Sequence, residues 1–230
     1  MASHIDIQPV VHTSVNEAVY CRLRDHLMRG DYAAGAVLGI QDLADAFGTS
    51  AMPVREALRR LAAQKALEPM KSRSMRVPVI SRERLQDIRR TRVLIEGTVT
   101  GWAVKHISRE ELSRLRVLAE QIGASLNQAG AIADGLESNQ QFHFTIYRAA
   151  KSDSMMAMIE SLWLQSGPYL RATRKLMHSE ERPSSELHAR IVDAMARGDA
   201  EEARAAMESD ICWPFDKLLA ERAALAESSF

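Results

Sequence analysis

The sequence predicts a mostly α-helical protein, an N-terminal winged helix-turn-helix followed by an all-helical bundle. Three observations predict it. Ala, Leu, Arg, Glu and Met dominate the 230-residue chain and aromatics are 5% of it, a mix that favours helix. Strand character is confined to two short apolar runs, 67–70 and 75–80, the second rich in β-branched residues. From residue 81 onward apolar residues recur only at helical spacing, so that part must bury its faces as a bundle. The expected domains are residues 1–80 and 81–230.

Residues 1–14 read as a loose arm. A helix is predicted over 15–28, with Val15, Val19, Leu23 and Leu27 on one face and Gly30 as its stop. Asp31 to Gly35 reads as a turn. A second helix is predicted over 40–47, broken by Gly48-Thr49-Ser50, and a third over 53–64 carrying Val54, Ala57, Leu58 and Leu61. Pro53 suits the first helical turn, where its missing N–H has no partner to lose. Two short helices joined by a tight Gly-containing turn match helix-turn-helix. The runs 67–70 and 75–80, around Lys71-Ser72-Arg73-Ser74, predict a small β-hairpin, the wing, with Pro78 placing the second run on a sheet edge. Beyond it helices are predicted over 82–106, 109–128, 131–150, 154–176, 181–197 and 200–225. Ser108 and Glu111 have capping-box spacing.

Composition narrows the class. Apolar residues are 46% of the chain, enough for real cores, and no apolar stretch approaches the roughly 20 residues of a membrane span. The start, Met1 to Pro9, has neither basic charge nor an apolar run, so a cytoplasmic setting is expected. Two distant cysteines, Cys21 and Cys212, read as small buried hydrophobes. Net charge is zero, so any surface for an anionic partner must be local.

Such a surface is present between Thr49 and Arg76. Seven cations (Arg55, Arg59, Arg60, Lys65, Lys71, Arg73 and Arg76) face only Glu56 and Glu68. Phosphate neutralisation needs a cluster of this kind. Helix-turn-helix proteins set the N-terminal turns of their second helix against base edges. Arg55 and Arg59, four apart, share a face there, and arginine can pair bidentately with guanine. Thr49, Ser50 and Met52 enter the same edge from the turn. Arg60 extends the basic face, and Lys71, Arg73 and Arg76 supply a basic wing. Double-stranded operator DNA is the expected partner.

Residues 15–80 resemble the GntR family of bacterial regulators. The resemblance rests on Leu27-Met28-Arg29-Gly30, on Leu43-Ala44-Asp45-Ala46-Phe47-Gly48-Thr49-Ser50, and above all on Pro53-Val54-Arg55-Glu56-Ala57-Leu58-Arg59-Arg60-Leu61, with Arg73 to Pro78 as the wing. Many members carry Arg where Ala51 stands and Gly where Lys65 stands. The mode of binding is therefore implied, and the operator sequence is not.

A second constellation lies in the helical part. Asn139 and His143 are four apart, and His188 and Asp210 lie on later helices. Together they could aim nitrogen and oxygen ligands at one interior point, a set that suits zinc, nickel, manganese or iron. Taken singly, each histidine reads more simply as a hydrogen-bonded core residue. Residues 82–220 resemble the FCD domain, the ligand-sensing module of the FadR-like branch of GntR regulators, through Arg92 and Glu96, Phe142-His143, and His188 with the stretch ending at Arg204. That resemblance implies metal ligands at Asn139, His143, His188 and Asp210. Two positions depart, Asn standing for Asp at 139 and Asp for His at 210. The formal ligand charge is kept but an amide replaces a carboxylate, so weaker metal binding is expected. The resemblance also implies a small carboxylate or sugar-acid effector, with Arg92 at the family's pocket position, and a homodimer reading an inverted-repeat operator, as a repressor relieved by ligand. Tyr147 is a further expected effector residue, and Arg171 and Arg174, beside Tyr169, are further cations that could meet it.

Two other classes fit parts of the sequence. A metal-dependent hydrolase could use His143, His188 and Asp210, but the sequence has no nucleophile elbow, phosphate loop or His-Glu-x-x-His motif. An architectural DNA-binding protein without effector would show only salt-driven, sequence-independent affinity. No catalytic residue is expected.

Overall fold

The computed structural model describes residues 15–71, 74–79, 81–125, 132–176 and 183–227; the side chains of residues 132, 170, 171, 174–176, 183–185 and 222–227 fall outside the described set. The first helix, α1 (Val15–Met28), buries Val19, Leu23 and Leu27 while Val15, at its open end, stays exposed. It packs on α3. The helix-turn-helix pair is α2 (Ile40–Phe47) and α3 (Ala51–Ala63). Gly48 closes α2 in the left-handed conformation (φ 62°), and the Thr49 amide donates back to the Ala44 carbonyl at 3.0 Å. A side chain would be strained at that φ, which is why glycine marks the turn. Helix α3 begins two residues before the predicted start, with Ser50 as an extended N-cap and Pro53 in the first turn.

The wing differs from expectation in one respect. A strand β1 (Val37–Leu38) joins β2 (Glu68–Pro69) and β3 (Met75–Arg76), in the antiparallel order β1-β3-β2. The run expected at a sheet edge is therefore the central strand. It escapes the proline rule by ending at Arg76, before Pro78 removes a donor. Val77 still exchanges backbone hydrogen bonds with Gly35 and Ala36, both at 2.9 Å. A two-residue strand is too short to leave a period-two pattern, so β1 was not legible in the sequence.

The helical part comprises α4 (Arg82–Ala103), α5 (Arg109–Ser125), α6 (Ile132–Ala149), α7 (Asp153–Leu176), α8 (Pro183–Arg197) and α9 (Ala200–Glu227). The predicted helices are all present, with ends shifted by a few residues. The capping box forms as spaced: Glu111 accepts from the Ser108 amide at 2.7 Å, and the Glu111 amide donates to the Ser108 hydroxyl at 3.1 Å. Helix α4 lies along α9 and also touches α6 and α7, while α8 packs on α5 and α9. This leaves an interior lined by α4, α6, α7, α8 and α9, filled by Phe142, Tyr147, Trp163, Ile191, Met207 and Phe215. The two parts meet where α1 packs on α7. Cys21 and Cys212 are free thiols, half-buried rather than fully buried as expected.

Candidate functional site

The basic face is built on α3 and the wing. Ser50 is exposed and its hydroxyl is not used in capping α3. Met52, in the first turn, is 70% exposed, unusual for so large an apolar side chain. Arg55 is exposed on the same edge, Thr49 is half-buried in the turn, and Lys71 is exposed at the wing. Arg73 lies outside the described residues. Arg59 is largely exposed and only loosely approached by Glu56, at 3.7 Å. Two of the expected cations are paired with carboxylates while still partly exposed. Arg60 bonds Glu17 at 2.7 Å and stacks 3.6 Å over the Tyr20 ring, so it ties α3 to α1. Arg76 pairs with Glu68 across the strands at 2.5 Å. Among the described residues of the cluster, Arg55, Arg59, Lys65 and Lys71 are the exposed cations not held in a close ion pair.

The second site is buried. His143 on α6, His188 on α8 and Asp210 on α9 bring one ligand atom each to within 4.8 Å of one another. His143 Nε2 lies 3.2 Å from Asp210 Oδ2, and His188 Nε2 lies 3.4 Å from Asp210 Oδ1. Burial alone would raise the Asp210 pKa, but His188 and His143 outweigh it and hold the carboxyl below its ordinary value. Asn139 stands one turn before His143 on α6, half-buried. Phe142 packs edge-on against the His188 ring at 4.7 Å between centroids, which limits that ring's rotation. Two imidazoles and a carboxylate, buried and convergent from three helices, fit a first-row divalent ion in chemistry.

Arg92, expected to anchor an anionic effector, is 3% exposed and paired with Glu96. It donates from Nε to Glu96 Oε1 at 2.6 Å and from Nη2 to Oε2 at 3.0 Å, with Nη1 on the Ser166 hydroxyl at 3.1 Å. Its guanidinium also lies 4.7 Å from the Trp163 ring centre. Burial would lower the Arg92 pKa, but Glu96 outweighs it. Trp163 Nε1 and the Tyr147 hydroxyl donate to Glu96 Oε2 at 3.2 and 2.5 Å. Tyr147 in turn lies 3.0 Å from His143 Nδ1. Burial, then the Glu96 charge, push the Tyr147 hydroxyl well above its ordinary range, so it stays a neutral phenol. The structure thus joins the expected effector residues Arg92 and Tyr147 to the histidine cluster. The Arg171 side chain lies outside the described residues. Glu96, Trp163 and Ser166 were not among the expected site residues. The spacing of Glu96 four after Arg92 was a usable sign, whereas nothing in the sequence marks the partners of Trp163 or Ser166.

Residues 15–77 match the model of the bacterial regulatory proteins of the gntR family, and residues 87–211 match the FCD domain. The HTH-type transcriptional regulator McbR of Escherichia coli is 31% identical over 159 residues, covering 69% of this chain and 72% of McbR. The uncharacterized regulator BphR of Paraburkholderia xenovorans is 29% identical over 210 residues, 86% of this chain and 84% of its own length. The solved structure of Escherichia coli McbR/YncC superposes with a TM-score of 0.84 at 26% identity, over 92% of this chain and all of that one. These relatives are transcription regulators, not enzymes. The chain belongs to the GntR family, with an FCD domain behind its helix-turn-helix, and is a DNA-binding transcription regulator.

Proposed function

We propose that this regulator is a cytoplasmic homodimeric repressor whose helical domain, residues 81–230, binds a divalent transition metal and an anionic effector that together control operator binding by residues 1–80. The observation that carries the reading is the convergence of His143, His188 and Asp210 within 4.8 Å in a buried interior. Asn139 is proposed as a fourth, weaker ligand. Elemental analysis of protein purified without chelator or nickel resin tests it. Near-stoichiometric zinc, nickel, manganese or iron is expected in the wild type and not in His188→Ala. Metal-free wild type would sink the proposal.

The proposed effector is a small carboxylate or sugar acid drawn by Arg92. It reaches that guanidinium only by exchanging with Glu96, carboxylate for carboxylate, with Tyr147 and Arg171 alongside. On the DNA, Arg55 with Ser50, Thr49 and Met52 is proposed to read bases; an exposed Met suits a thymine methyl. Arg59, Lys71, Arg73 and Arg76 are proposed to hold phosphates, and Arg60 to brace α3 from behind. Arg55→Ala is expected to weaken operator binding by about 1–3 kcal/mol and to relax base preference, whereas Lys71→Ala weakens all sequences alike. Binding to operator variants over a salt series measures both. Exposed Leu94 and Trp102, two turns apart on α4 at 62% and 47% exposure, support a covered face in a two-fold dimer.

A further inference from the structure

We infer that Tyr147, anchored by Glu96, is a positioning residue that holds the His143 ring with Nδ1 protonated and Nε2 turned toward the metal position. The inference rests on the metal reading above and names the device that sets the ligand's orientation.

The hydrogen bonds admit one arrangement. Glu96 is fully buried and gripped at both oxygens by Arg92, at 2.6 and 3.0 Å, so it is a carboxylate and can only accept. Tyr147 has a single proton, and its oxygen lies 2.5 Å from Glu96 Oε2. Without that proton between them, two oxygen acceptors would face each other in a dry interior. The proton therefore goes to Glu96, and Tyr147 can offer His143 only a lone pair. His143 Nδ1, 3.0 Å away, must then be the donor. In a neutral imidazole this leaves Nε2 as the lone-pair nitrogen. That is the nitrogen 3.2 Å from Asp210. A lone pair facing a carboxylate at 3.2 Å is repulsive, and either a proton on Nε2 or a metal ion bound by both groups relieves it. Metal-bound histidines gain affinity and a fixed tautomer from a partner on the other ring nitrogen. Here the partner is a phenol, itself polarised by Glu96 and Arg92.

Tyr147→Phe removes the acceptor and keeps the ring in the core. Zinc affinity of the full chain is read by competition with a chromophoric chelator, beside His143→Ala as the control for the metal reading. Tyr147→Phe is expected to weaken zinc 10–100-fold while the unloaded protein keeps its helical spectrum. Unchanged zinc affinity in Tyr147→Phe, with binding lost in His143→Ala, overturns this inference alone. A wild type that takes up no zinc overturns both readings. Should Tyr147→Phe not fold, nitrogen NMR of histidine-labelled, zinc-loaded wild type decides. Zinc on Nε2 of His143 with a protonated Nδ1 supports the inference, and zinc on Nδ1 overturns it.

Discussion

Lys65 adopts φ 59°, in the left-handed region, where the chain turns from α3 into the wing. A β-carbon there crowds the backbone by about 1 kcal/mol or more. The resemblance already marks the position as one where many relatives carry glycine, and the structure supplies the reason. Lys65→Gly is expected to stabilise the protein by about 1 kcal/mol, seen as a higher thermal midpoint with operator affinity little changed. Glu96 makes the opposite case. It balances Arg92 in an interior that water does not reach. Glu96→Leu strands that guanidinium and is expected to cost about 3–5 kcal/mol; chemical denaturation would show it as a lower midpoint at constant slope. At this scale Arg92, His143, His188 and Asp210 were legible in the sequence as chemistry-bearing residues. What each one faces was not, because their partners are supplied by other helices.

At the scale of elements, local signals and local structure agree where the stabilising bonds are themselves local. The Ser108–Glu111 box closes within one turn of α5, and its spacing alone revealed it. Ser108→Ala is expected to cost about 1 kcal/mol of stability. The Ser108 backbone amide, then its hydroxyl, hold the Glu111 carboxyl below its ordinary value. A depressed folded-state pKa contributes stability that is present above the unfolded value and is lost as pH falls through the folded one. The gap between wild type and Ser108→Ala should therefore narrow as pH drops below about 4, without closing, because the cap from the Ser108 hydroxyl to the Glu111 amide does not titrate; thermal melts across that range measure it. Strand β1 is the contrary example. Its two residues exist as strand because β3, distant in sequence, pairs with them, Val37 with Arg76 and Leu38 with Met75, and no local pattern encodes such a pairing.

Across the whole molecule, the feature with most consequence is the seam between α1 and α7. A β-carbon on Gly167 would drive into the Leu27 carbonyl oxygen and come within 2.8 Å of that of Met28. The end of α1 therefore rests directly on the backbone of α7. Ser166, the next residue, accepts from Arg92 at 3.1 Å. The DNA-binding part is thus seated one residue from the buried Arg92–Glu96 pair. Arg24–Glu160 and Arg29–Glu137 flank the seam, each at 3.9 Å, too long and too exposed to fix it. Gly167→Ala is expected to push α1 off α7, lowering stability by about 1–3 kcal/mol through overpacking. It should also shrink any zinc-dependent change in operator affinity while leaving zinc affinity itself intact. Operator titrations with and without zinc, paired with chelator competition, check that separation.

By itself the sequence determined the helices, the helix-turn-helix, the basic edge of α3 and the identity of the buried histidines. These depend on side-chain periodicity, turn chemistry and charge, which are properties of neighbours along the chain. Only the tertiary structure decided which cations carry a carboxylate partner, because Glu17 and Glu68 pair with Arg60 and Arg76 across elements. It alone decided that Arg92 is spoken for by Glu96, and that Tyr147 stands between Glu96 and His143. The reason is physical. A buried charge or donor is satisfied by whatever the fold brings within about 3 Å, and that partner can come from any helix of the bundle.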